Sequence, residues 1–69
     1  MIKVYSSPTC VYCHALMDWL DSQGITYEEV SATEDPSITA VPVTEIADER
    51  IVGFDRPAIK KALKRNGLL

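Results

Sequence analysis

Two cysteines occur in the 69-residue chain, and they stand three apart as Cys10-Val11-Tyr12-Cys13. A disulfide between them would close a very small loop and add little to stability, so the pair is not a structural staple. Two cysteines are also too few for a disulfide framework. The chemistry open to such a pair is thiol–disulfide exchange or metal binding. Exchange requires a thiolate, and a free thiol is mostly protonated at neutral pH. The first turn of a helix answers that need, with unpaired backbone N–H groups and the positive end of the helix dipole aimed at the sulfur. Cys10 at the head of a helix is therefore the expected nucleophile. Cys13, almost one turn deeper, is the expected resolving thiol, less exposed and less acidic. In that scheme Cys10 attacks a substrate disulfide, and Cys13 attacks the mixed disulfide and releases the reduced substrate.

Other readings of the same residues stay open. A metal site at Cys10 and Cys13 would need two further ligands, and His14 is the one histidine of the chain. Cys10-Val11-Tyr12-Cys13-His14 also spells the c-type haem attachment pattern. The β-hairpin expected later in the chain suits no helical haem wrap. His14 then reads as a partly exposed helix residue near the site.

The flanking residues must place the pair. Residues 2–6 alternate and are rich in β-formers, a strand. Ser7-Pro8-Thr9 breaks it. From Cys10 to Ser22 apolar residues recur at helical spacing, at Val11, Ala15, Leu16, Trp19 and Leu20, with Thr9 as the N-cap and Gly24 as the stop. Trp19 reads as core. Residues 26–30 form a second strand, parallel to the first because a helix joins them. Residues 31–41 are polar, with room for one helical turn begun by Asp35-Pro36. Val43–Ile46 and Arg50–Val52, joined by Ala47-Asp48-Glu49, predict an antiparallel hairpin. Asp55 caps a last helix with Pro57 in its first turn; Ile59, Ala62 and Leu63 are buried, and Asn66-Gly67 ends it. The order is β-α-β, then β-β-α, in a single domain over residues 1–69.

Composition sets limits. The hydrophobic fraction is 46% and the charged fraction 25%, ordinary for a globular domain. The net charge of -3 argues against nucleic acid, whose binding draws on Lys and Arg at phosphates. The basic group Lys60, Lys61, Lys64 and Arg65 reads as a solvated face at a helix C-terminus. No apolar run approaches the ~20 residues of a membrane span. The start lacks the layout of a secretory leader, and the expectation is a cytoplasmic protein.

Taken together these residues resemble the glutaredoxin branch of the thioredoxin fold, and most closely the NrdH-redoxins and their short glutaredoxin-like relatives. The matching segments are the first strand into Thr9-Cys10-Val11-Tyr12-Cys13, then Val41-Pro42-Val43, then Ile51-Val52-Gly53-Phe54-Asp55. The resemblance implies an α/β fold, a minimal thioredoxin-like arrangement with a four-stranded mixed sheet. It implies that Pro42 is cis and faces the dithiol, and that the Val41 backbone pairs with an extended substrate beside Cys10. Thr9, Tyr12, Gly53, Phe54 and Asp55 complete the implied substrate-binding set. Asp55 is a helix cap first and a holder of ligand charge second.

The family divides by reductant and partner. Glutaredoxins use glutathione and usually carry a basic residue before the first cysteine and a Gly-Gly…Asp segment. Here Ser7 and Val52-Gly53-Phe54-Asp55 stand at those places, with one glycine. NrdH-redoxins are reduced by thioredoxin reductase and serve ribonucleotide reductase, with a Trp-Ser-Gly-Phe-Arg-Pro pattern. This chain keeps Gly53 and Phe54, has Arg56-Pro57 one position late, and has Ile51-Val52 in place of Trp-Ser. The balance favours an NrdH-like carrier of electrons to protein disulfides. It would have no resident cofactor beyond its redox-active disulfide. The alternatives are a glutathione-dependent glutaredoxin and a zinc or iron–sulfur module.

The departure from the family is length. Members carry a full helix between the second strand and the proline, whereas here eleven residues separate Val30 from Pro42. The gap to cross is on the order of 10 Å at strand spacing, and eleven residues reach about 36 Å, so the shortcut is feasible. It leaves one sheet face with little helical cover. Lys3, Tyr5, Tyr27 and Thr44 are expected to make that face polar enough, or a partner or second copy to cover it.

Overall fold

A computed structural model describes residues 2–68. Strand β1 (Ile2–Ser6) leads into helix α1 (Val11–Ser22), then β2 (Glu28–Ser31), a short 3-10 turn (Ala32–Glu34), β3 (Val43–Ile46), β4 (Glu49–Val52) and helix α2 (Arg56–Arg65). The sheet order is β2-β1-β3-β4. β1 and β2 are parallel, and β3 is antiparallel to both β1 and β4. This is the minimal thioredoxin-like arrangement expected.

Both helices pack on one sheet face. Leu16, Met17 and Leu20 of α1 and Ile59, Ala62 and Leu63 of α2 meet Ile2, Val4 and Ile46, all buried. The α1 stripe is Cys13, Leu16, Met17 and Leu20, a 3.6-residue period. It differs from the expected stripe at one end: Val11 is 77% exposed, because at about 100° per residue it stands on the side of α1 opposite Leu20. Met17 takes its place in the core. Gly24 ends α1 as expected, at φ 70, a left-handed conformation that disfavours a Cβ. The Ile25 N–H reaches the Leu20 carbonyl and closes the helix end.

Three local expectations are corrected. The N-cap of α1 is Cys10, one residue after Thr9. The hairpin turn holds two residues, since Ile46 pairs with Glu49, and Ala47 adopts φ 53 to close it. The helical turn of the 31–41 segment precedes Asp35, with Ser31 as its cap; Asp35-Pro36 instead opens a tight turn in which Asp35 Oδ1 accepts from the Ser37 N–H at 2.9 Å.

The pairing register decides which residues share a face. Val4 lies opposite Thr44, and Thr44 opposite Ile51, on the helix side. Thr44 is thus buried under the helices and not on the open face. Tyr27 also departs from expectation. It packs against the core cluster, and burial pushes its phenol upward, with the Asp21, Glu29 and Asp18 carboxylates adding to the shift. Lys3 and Tyr5 do lie on the opposite face, with Val43, Glu45, Arg50 and Val52 in register beside them. That face lacks a helix, yet Tyr5 is buried. The Arg50 guanidinium lies 5.4 Å from its ring centroid, and Asp35 and Ser37 are bonded to that guanidinium. Residues 35–42 therefore run as a strap over this face.

Candidate active site

The chain turns from β1 into α1 through Ser7-Pro8-Thr9-Cys10, closed by the Cys10 N–H on the Ser7 carbonyl at 3.1 Å. Pro8 holds the second turn position, which its fixed φ suits. Cys10 then caps α1 with extended backbone, and its Sγ accepts the Cys13 N–H at 3.1 Å. One of the unpaired N–H groups of the helix end is thus aimed at the sulfur. The two cysteines form a disulfide with their Cα atoms 5.2 Å apart. Their surroundings differ: Cys10 is half-buried, whereas Cys13 is 0% exposed and belongs to the core.

The second wall of the site comes from the start of β3. Tyr5 pairs with Val43, so one step further Ser6 stands opposite Pro42, at the sheet end where α1 begins. The Val41-Pro42 bond is cis. Pro42 is buried, and its carbonyl accepts the Gly53 N–H at 2.8 Å, one step beyond the Val43–Val52 pair. Val41 packs its side chain against the core cluster; among the described residues its N–H and C=O make no backbone hydrogen bond.

The remaining candidate residues surround these two walls. Gly53 has φ 89, and after it Phe54 is half-buried against the core with the Arg56 guanidinium 5.5 Å from its ring centroid. Asp55 Oδ1 accepts the Ala58 N–H at 3.2 Å, so it caps α2 as expected. Tyr12 projects outward at 68% exposure, and Thr9 is exposed with its hydroxyl 3.5 Å from that of Ser7. His14 is exposed on α1, and Trp19 packs against the core. An open cleft of about 340 Å³, lined by Ser6, Pro8, Glu29 and Ser31, adjoins the turn; the Ser6 hydroxyl donates to Glu29 Oε2 there at 2.8 Å.

Among the described residues no three His, Cys, Asp or Glu side chains gather where one ion could bind them together. No helix among them is long and apolar enough to cross a membrane. Arg50 carries no sequence signal that singles it out. It sits in a predicted strand as one more charged surface residue, and its partners Asp35 and Ser37 lie too far away in sequence for any local pattern to join them.

The sequence profile of the Glutaredoxin family matches residues 2–51. The chain belongs to the glutaredoxin family. A glutaredoxin-like 8.6 kDa protein from the rubredoxin operon of Clostridium pasteurianum is 32% identical over 75 residues, covering 94% of this chain and all of that one. Among solved structures, NrdH-redoxin from Escherichia coli superposes with a TM-score of 0.75 at 23% identity, over 87% of this chain and 91% of its own. A glutaredoxin from Archaeoglobus fulgidus gives 0.77 at 17% identity, over 91% of this chain and 85% of its own. Those two likenesses establish the fold. Family membership and the paired cysteines together make this glutaredoxin a thiol–disulfide oxidoreductase.

Proposed function

We propose that this glutaredoxin is an NrdH-redoxin-like electron carrier that reduces protein disulfides through Cys10 and Cys13, with ribonucleotide reductase as its acceptor. The asymmetry of the pair carries the reading. Cys10 is accessible, and the N–H aimed at its sulfur favours the thiolate. Cys13 is sealed in the core, where a thiol stays protonated until it is needed.

In the reaction the Cys10 thiolate attacks one sulfur of the substrate disulfide. That S–S bond breaks, a mixed disulfide forms, and the departing substrate sulfur takes a proton. Cys13 then loses its proton and attacks Cys10 Sγ; the second substrate thiol leaves, and the protein holds the Cys10–Cys13 disulfide. Two electrons have passed to the substrate. Among the described residues the Val41 N–H and C=O make no backbone hydrogen bond, and they offer a strand-like pairing edge to an extended substrate segment. In this reading Tyr12, Thr9 and Phe54 also contact the substrate.

Three observations support thioredoxin reductase as the reductant. The segment before α2 has the single glycine Gly53, and one oxygen of Asp55 is already engaged as the helix cap. The net charge of -3 also gives anionic glutathione little attraction. The test is reduction of the Cys10–Cys13 disulfide by NADPH with thioredoxin reductase, beside glutathione with glutathione reductase, on the wild type and Cys10→Ser. Turnover with thioredoxin reductase alone, lost in Cys10→Ser, is the expected result. Turnover with glutathione assigns the other reductant. Inactivity in both, or activity that survives Cys10→Ser, refutes the carrier role and directs attention to bound zinc or iron.

A further inference from the structure

The 35–42 strap has no regular structure between the 3-10 turn and β3, and it ends at the Val41 edge. Two attachments to the β4 side of the sheet hold it. At its far end the Gly53 N–H bonds the Pro42 carbonyl. At its near end Arg50 grips it: Nη2 lies 2.8 Å from Asp35 Oδ2, and Nη1 lies 3.1 Å from Ser37 Oγ. The Nε of the same guanidinium bonds Glu45 Oε2 at 2.9 Å, and its plane rests over the Tyr5 ring. Ser37 is fixed in turn by its hydroxyl on Asp35 Oδ1 at 2.6 Å. Apolar packing does not seal the strap to the sheet, since an open cleft of about 140 Å³ lies between them, lined by Ile38, Ala40, Val43, Arg50 and Val52 among others. A planar fork with donors to three acceptors is a rigid connection, which a lysine ammonium cannot reproduce.

We infer that Arg50 is a positioning residue for substrate: by clamping Asp35 and Ser37 it sets where the Val41 backbone stands beside Cys10. The inference rests on the proposed role of Val41 as the substrate-pairing edge. The clamp does in this short chain what a packed helix would otherwise do, holding the approach to Pro42 in one place. Its loss leaves the thiols untouched and misplaces the edge that binds substrate.

Asp35→Asn separates the clamp from folding. The Oδ1 that makes the turn with Ser37 is retained, and the Oδ2 facing Arg50 becomes an N–H donor that the guanidinium repels. Glu49→Gln is the control, because Glu49 bonds Arg65 of α2 and lies on the face of β4 opposite Arg50, away from the strap. The assay is reduction of insulin disulfides with dithiothreitol as electron source, together with the rate of iodoacetamide alkylation at Cys10. Asp35→Asn and Arg50→Lys should raise KM for insulin about tenfold with kcat little changed, the pattern of lost substrate placement. Glu49→Gln should leave KM within about twofold, and Cys10 alkylation should be the same in all variants. An unchanged KM in Asp35→Asn overturns the inference, as does an equal rise in Glu49→Gln or a matching loss of Cys10 reactivity. A wild type that fails to reduce insulin overturns the proposed function itself, which sets that failure apart from failure of the clamp.

Discussion

Thr44→Val should make this small protein more stable. Thr44 lies on β3 beneath the helices, 0% exposed, with Val4 and Ile51 as its in-register neighbours. Among the described residues its hydroxyl oxygen has no hydrogen-bond partner. Burying a hydroxyl without a partner costs roughly 1–3 kcal/mol on protein mutational scales. Valine has almost the same shape, retains the β-branch that a strand favours, and replaces the hydroxyl with a methyl that suits Val4 and Ile51. The expected gain is about 1–2 kcal/mol, a rise in Tm of about 4–8 °C per kcal/mol in a domain of this size. Urea unfolding of the oxidised protein, followed by far-ultraviolet circular dichroism, measures it, with an m value equal to wild type. Thr44→Ser is the companion: it retains the hydroxyl and removes the methyl, so it should destabilise. A Thr44→Val protein no more stable than wild type would show that the hydroxyl is bonded after all and would refute the reasoning. Insulin reduction should be unaffected, because Thr44 faces the core and not the proposed substrate edge.

Cys13→Ser should accumulate a mixed disulfide with a protein substrate, detectable by mass spectrometry, because Cys10 still attacks and nothing resolves the adduct. Ala47→Gly should add about 0.5–1 kcal/mol, since the left-handed turn costs an L-residue roughly 1–2 kcal/mol and the flexibility of glycine returns only part of the gain; a fall in the urea midpoint would contradict that. The Ser37 hydroxyl and N–H, with Arg50, hold Asp35 down to about 2, below the ordinary carboxylate value. A depressed acid contributes stability above its unfolded value and loses it as pH falls through the folded one. The strap should therefore stay clamped at neutral pH and loosen between about pH 4 and 2, as amide exchange at residues 35–42 would report. Leu20→Ala should cost about 2–5 kcal/mol, because Leu20 is fully buried between α1 and the sheet, and thermal unfolding measures the loss.

Much of this protein is legible in its sequence because the relevant physics is local. The 3.6-residue spacing of Leu16 and Leu20, and of Ile59, Ala62 and Leu63, places both helices with their buried sides correctly assigned. Asp55 caps α2 and Gly24 closes α1 as their residue types dictate. The dithiol at the head of a helix follows from a strand, a proline turn and an amphipathic run in direct succession. Long-range geometry decided the rest. Thr44 and Tyr27 lie on the helix side because strand register and the path into β2 set their facing, and a shift of one residue reverses every side chain in a strand. Cys10 in place of Thr9 became the cap because the turn after Ser7 closes one residue later than the sequence suggests. Arg50 and Asp35, fifteen positions apart, meet only when the hairpin folds back across β1 and the strap crosses the same face. The sequence by itself determined the chemistry and the elements that carry it, since spacing and residue type act over a few residues. The strap and its contact with Arg50 were decided by tertiary structure, because strand order brings residues 35–42 and Arg50 together.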